Sequence, residues 1–94
     1  MKSRSRMKVI LNIPYLIDEA HGWIIVTRED LRKARLHPDD FPKAYRTKGE
    51  ELFALEEDCE MPLMLDKLNS NGVIYQINEK FISYDDKDNP RNWR

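Results

Sequence analysis

His21-Gly22-Trp23-Ile24-Ile25-Val26-Thr27-Arg28-Glu29-Asp30-Leu31 holds a strand, a cap and the start of a helix. Trp23–Val26 is a dense aromatic and β-branched run, the composition of a buried strand. Gly22 supplies the backbone freedom to turn into it. Thr27 is a good helix N-cap, and Asp30 three residues later approximates the partner of a capping box. Val26 and Leu31 stand at the two positions of a hydrophobic staple. Glu29 and Asp30 lie at the positive end of the helix dipole and Arg35 at the negative end. The pattern predicts a helix over Arg28–Leu36, stopped by Pro38, which biases His37 away from helical angles. Its apolar face is little more than Leu31 and Ala34, so it must lean on a sheet to persist.

Upstream, Val9, Leu11 and Ile13 alternate with polar or outward positions, as in a strand from Met7 with one face inward. Pro14 is expected to end it, because it cannot donate to a ladder. Tyr15–His21 fits either one helical turn or the return of a hairpin. Residues 1–6 alternate serine with cations and read as a tail. Downstream, residues 37–48 read as a loop with room for one helical turn after Pro38, and Glu51–Glu57 as a third strand. Met61, Met64, Leu65 and Leu68 form one apolar stripe, predicting a second helix over Met61–Leu68. Glu57, Asp58 and Glu60 crowd its positive end, with Asp58 the expected cap. Asn69-Ser70-Asn71-Gly72 is a strong stop. Val73–Tyr84 reads as a hairpin turning at Asn78-Glu79, with Val73, Tyr75, Ile77, Ile82 and Tyr84 on one face. Residues 86–94 are polar and read as a tail, from which Trp93 is able to fold back. The sum is a single small α+β domain, β-β-α-β-α-β-β, mostly antiparallel, with both helices on one face.

Ninety-four residues allow one domain with a thin core. Hydrophobic residues at 40% are too many for a disordered chain even with 35% charged. The single cysteine, Cys59, excludes an intramolecular disulfide and points to a reducing, cytoplasmic setting. Runs such as Trp23–Val26 are far too short to cross a bilayer, and the basic start leads into no apolar signal segment. Residues 1–48 carry eleven Lys/Arg against six Asp/Glu, whereas residues 49–94 carry five against eleven. Such a split marks either a partner surface or two halves that neutralise each other on packing.

Enzymatic chemistry finds little footing. Cys59 sits near a predicted helix start, but Glu57, Asp58 and Glu60 oppose thiolate formation, and nothing places His21 or His37 beside it. Cys59, His21 and His37 make no zinc set at familiar spacing, and Glu56, Glu57, Asp58 and Glu60 lack the alternation of a calcium loop. Gly22, Gly49 and Gly72 stand alone, so no phosphate loop exists. No catalytic residue, metal or cofactor is expected. Two binding classes stay in view. The first is a non-enzymatic interaction protein with a protein partner, acting through a charged patch that includes Glu56, Glu57 and Asp58, with His21 and Trp23 as an aromatic anchor. The second is a nucleic-acid binder using Arg28, Arg32 and Arg35 at helical spacing, extended by Lys48. The sequence also leaves a homodimer open.

His21-Gly22-Trp23 and Leu55-Glu56-Glu57-Asp58-Cys59 carry a resemblance. The chain resembles a group of small proteins of bacterial genomes, phages and plasmids that pair these two elements, across Ala20–Leu65. The resemblance brings no activity with it. It implies a cytoplasmic bacterial or phage protein in which His21–Trp23 and Glu56–Cys59 meet in space. Glu60 and Met61 depart from the small residue or aspartate expected after the cysteine.

Overall fold

A computed structural model describes residues 10–93. Seven elements follow in order: β1 (Leu11–Ile17), β2 (Gly22–Thr27), α1 (Arg28–Lys33), β3 (Tyr45–Arg46), β4 (Leu52–Glu56), α2 (Met61–Ser70) and β5 (Tyr75–Phe81). Short 3-10 turns at Pro38–Asp40 and Pro90–Asn92 complete the chain. The five strands form one sheet in the order β3-β4-β2-β1-β5. Its pairs are antiparallel except β1 with β5, which run parallel. The expected α+β class holds, with two helices on one face of a mixed sheet. The expected tail at residues 1–6 lies outside the described residues.

The strand–cap–helix reading of Gly22–Leu31 is what the chain builds. Thr27 accepts from the Asp30 amide at 3.0 Å, and Asp30 accepts from the Thr27 amide at 2.9 Å, so the capping box closes in both directions. α1 is shorter than expected because Arg35 takes a left-handed conformation at φ 59°. The Leu36 amide then donates to the Leu31 carbonyl at 2.8 Å and the Arg35 amide to Arg32 at 2.9 Å. α2 ends the same way at Gly72, with φ 72°, and Val73 donating to Leu68 at 2.9 Å. The two helices thus share one C-terminal motif, signalled by glycine in one and hidden behind arginine in the other. Asn71 ties the ends together by donating to the Ala34 carbonyl at 3.0 Å.

Residues 37–48, expected as a loop, contribute the two-residue strand β3, so the order is β-β-α-β-β-α-β rather than β-β-α-β-α-β-β. Three further expectations are corrected. Pro14 lies inside β1 rather than ending it. Odd residues of β1 turn their polar groups to β5, as Leu11 N does to Ile74, while even residues turn to β2, as Asp18 N does to His21. Pro14 therefore interrupts no bond to β5, and the β1–β2 ladder begins only at Tyr15 and Ile24, so the missing N–H lies just beyond that ladder's end. Val73–Tyr84 is not a hairpin; it contains one strand, β5, paired with β1 over its full length. Asn78-Glu79 has no residue suited to a tight primed turn. In a continuous strand, Ile77 and Ile82 face opposite sides, and the sheet has an apolar layer on each. The segment after Ser83, expected as a tail, is docked instead: Asn89 and Pro90 are fully buried.

Those two layers divide the molecule. One is the main core, where Ile13, Ile24, Val26, Phe53 and Leu55 meet Leu31, Ala34, Phe41, Met64 and Leu68. The other holds Leu16, Trp23, Ile25, Ala54 and Ile82, with Leu52 and Trp93 packed against it. Among the described residues no α-helix covers this second face. It is crossed by the chain from Ser83 to Trp93, hereafter the arm.

Candidate functional site

The His-Gly-Trp element and the Glu56-Glu57 element do come together. Trp23 pairs with Glu56 across β2 and β4, and the Glu57 amide donates to the Gly22 carbonyl at 2.9 Å. A Cβ on Gly22 would stand 2.8 Å from the Tyr15 ring and 2.9 Å from the Glu57 carboxylate, so a larger residue there must displace one or both. Through that gap the Tyr15 hydroxyl donates to Glu57 Oε1 at 2.6 Å. Burial, the Glu57 hydrogen bond and the surrounding carboxylates push the Tyr15 hydroxyl up to about 12.

On the second face, the same element grips the arm. Arg91 donates from Nε and Nη2 to one Asp18 oxygen at 3.0 and 2.8 Å. Its guanidinium lies 4.4 Å from the Tyr84 ring centre and 5.5 Å from that of Trp23. Asn89 donates to Asp18 Oδ2 and to the Ser83 carbonyl, both at 3.1 Å. Asp18 Oδ1 accepts from the Ala20 and His21 amides at 2.8 Å. Burial raises the Asp18 carboxyl, but Asn89, the two amides and Arg91 outweigh it and hold it well below the usual carboxylate range.

His21 completes this latch. Arg91 Nη2 lies 3.1 Å from Nδ1, so Nδ1 is the acceptor and Nε2–H faces Glu56 Oε2 at 3.3 Å. The ring also stacks on Trp23 at 5.7 Å. The space among His21, Trp23, Tyr45, Glu56 and Arg91 is about 60 Å³, room for two waters and little else. Every polar atom on this imidazole already has a partner, and the cluster positions the arm. Among the described residues no three His, Cys, Asp or Glu side chains are placed to hold a metal ion, and no helix is long and apolar enough to cross a membrane.

What the latch creates is a groove. The arm leaves a gap of about 560 Å³ over the second face, floored by Pro14, Leu16, Ile25, Leu52 and Ile82 and walled by Trp93. Trp93 is fixed by its Nε1–H donating to the Asp88 carbonyl at 3.1 Å. Lys80 and Lys87 stand on the rim beside Asp88. Neither lysine forms an ion pair among the described residues.

The expected patches fare differently. Trp23 is only 3% exposed and is no surface anchor. Glu57 is held by Tyr15 and Glu56 by His21. Asp58 is exposed and does not cap α2; the N-cap is Glu60, whose carboxylate accepts instead from the Lys43 amide at 3.0 Å. Cys59 is exposed, and His37 caps the Pro38 turn by accepting from the Asp39 amide. Arg28 is tied to Glu50 and Arg32 to Glu29. Arg35 lies past the end of α1, so the expected helical stripe of arginines is not formed. Lys48 is exposed in the turn before β4. Reading residues singly missed Asp18, Asn89, Arg91 and Lys87; the signal was Asn89-Pro90, a turn-forming pair, just before Trp93 in an otherwise polar stretch.

No protein-family model matches the chain, and no curated protein and no solved structure is detectably similar to it.

Proposed function

We propose that this protein is a non-enzymatic interaction module that receives an acidic, apolar segment of another protein in the groove between arm and sheet. The groove carries the reading: an apolar floor within the usual size range of binding sites, with two lysines at its rim that form no ion pair among the described residues. Apolar side chains would fill the floor, and carboxylates would meet Lys80 and Lys87. The lysines steer and orient the partner; the floor supplies the affinity. The exposed lone thiol of Cys59 suits a reducing compartment such as the cytoplasm. Selection from a random-peptide display library on the immobilised protein tests the reading. It should enrich segments that combine Asp or Glu with Leu, Ile or Phe, and Lys80→Glu with Lys87→Glu should abolish the enrichment. Enrichment untouched by the double substitution overturns it. Salt-sensitive retention on DNA, lost on Arg35→Glu or Lys48→Glu, would replace it with nucleic-acid binding.

A further inference from the structure

The two edges of the sheet are unequal. β3 is two residues long, whereas β5 presents seven, without proline or bulge. The Ile74 carbonyl accepts from Leu11 and the Ile82 amide donates to Ile17, so even-numbered backbone groups of β5 face β1. The amides and carbonyls of Tyr75, Ile77, Glu79 and Phe81 therefore point out of the sheet. No strand meets them among the described residues. Open edges of this length are usually blunted or used.

We propose that β5 pairs antiparallel with β5 of a second copy, about a two-fold axis through Asn78, making one continuous ten-stranded sheet. The edge is complementary to itself. Pairing the whole strand end to end sets Tyr75 opposite the second copy's Phe81 and Ile77 opposite its Glu79. These are the outward-pointing residues, so they form the hydrogen-bonded pairs, about eight bonds in all. On the other side of the sheet, Ile74 meets the second copy's Ile82, Gln76 its Lys80, and Asn78 its Asn78. Phe81, 77% exposed, and Ile74, 43% exposed, are thereby covered at both ends; in the middle Gln76, Asn78 and Lys80 face polar partners on one side of the sheet, and Ile77 meets the stem of Glu79 on the other. Sliding the register two residues toward the C-terminus places Glu79 against Glu79 and is disfavoured by charge. A two-fold normal to the sheet keeps each face on its own side, so the dimer carries two arm-bounded grooves side by side.

Three measurements on the full chain test this. Sedimentation equilibrium should give twice the chain mass at micromolar to sub-millimolar concentration; a monomer throughout that range overturns the proposal. Glu79→Pro removes an outward N–H only, so it should leave a folded monomer by circular dichroism; a dimer of unchanged affinity overturns the proposal. Should proline at this place unfold the chain, Phe81→Lys is the second variant, expected to weaken dimerisation at least tenfold. Finally, in a Cys59→Ser background, Asn78→Cys should cross-link as a dimer with diamide as oxidant and Gln76→Cys should not, because only residue 78 opposes itself. The reverse pattern overturns the register. Peptide selection by the groove is read on the Glu79→Pro monomer, so failure of the dimer and failure of the groove are separable.

Discussion

The two faces of the sheet are covered by different means. On one, α1, α2 and the loop carrying Phe41 bring five buried side chains against five from the sheet. On the other, the arm crosses a smaller apolar layer and is held by ionic and polar bonds centred on Asp18. Dispersion and burial hold the first face wherever atoms pack closely, with no preferred direction. The latch depends on a few directional bonds around one carboxylate. A face held by packing resists local opening, whereas one held by a latch can open alone. The groove sits on the face that can open.

The largest test of this contrast is packing itself. Phe53→Ala on the helix-covered face should cost about 3–5 kcal/mol in urea unfolding, since Phe53 is fully buried. Ile25→Ala on the arm-covered face should cost nearer about 2 kcal/mol, because the space it vacates adjoins the existing groove. Equal losses would erase the distinction between the faces.

Removing the latch comes next. Arg91→Ala deprives Asp18 of its cation and Tyr84 and Trp23 of the guanidinium between them. Amide exchange over Ile82–Trp93 should then quicken by roughly one to two orders of magnitude, with α2 and β4 unchanged. Faster exchange in α2 as well would mean that the faces unfold together.

Acid should act on the same place. Asp18 titrates well below the ordinary carboxylate range when folded. Its contribution is complete above the unfolded value of about 3.9 and is lost as pH falls through the lower folded value. The arm should therefore begin to loosen below about pH 4, before the helix-covered face responds. Asp18→Asn should lose that part of the acid dependence and start from a looser arm at neutral pH. Exchange measured from pH 5 to 2 distinguishes this from general acid unfolding.

The fold was legible wherever a local signal matched a local cause. The capping box at Thr27 and Asp30, the stripe of Met61, Met64, Leu65 and Leu68, and the stop at Gly72 each act within a few residues. What escaped depended on distant partners. Pro14 is tolerated because of where the β1–β2 ladder starts, and β5 runs on because β1 accepts it in parallel. Both are facts of pairing that periodicity along one strand does not contain. Asp58 looked like the cap by residue type, yet the Glu56 carbonyl takes the Cys59 and Glu60 amides, and Glu60 serves Lys43. The meeting of His21–Trp23 with Glu56 was foreseen. The β2–β4 ladder brings it about; what it serves, a latch on Asn89 and Arg91 some seventy residues away, lay in a stretch whose polarity resembles that of a tail.

The smallest expected effect belongs to the helix-covered side. Tyr15 packs against the main core, and its hydroxyl reaches Glu57 over Gly22. With the hydroxyl pushed up to about 12, the protonated form is favoured by folding. The stabilisation is fully present below the unfolded value of about 10 and disappears as pH rises toward the folded one. Stability should thus decline between about pH 10 and 12, and Tyr15→Phe should flatten that decline while changing neutral stability little, because the bond lies at the rim in reach of solvent. Gly22→Ala should cost more: a methyl group in that gap forces the Tyr15 ring and the Glu57 carboxylate apart and lowers stability at neutral pH as well. Arm exchange should be indifferent to Tyr15→Phe. An arm that loosens with the Tyr15 hydroxyl gone would show that the two faces communicate through β1, the strand that contributes Tyr15 to one and Leu16 to the other.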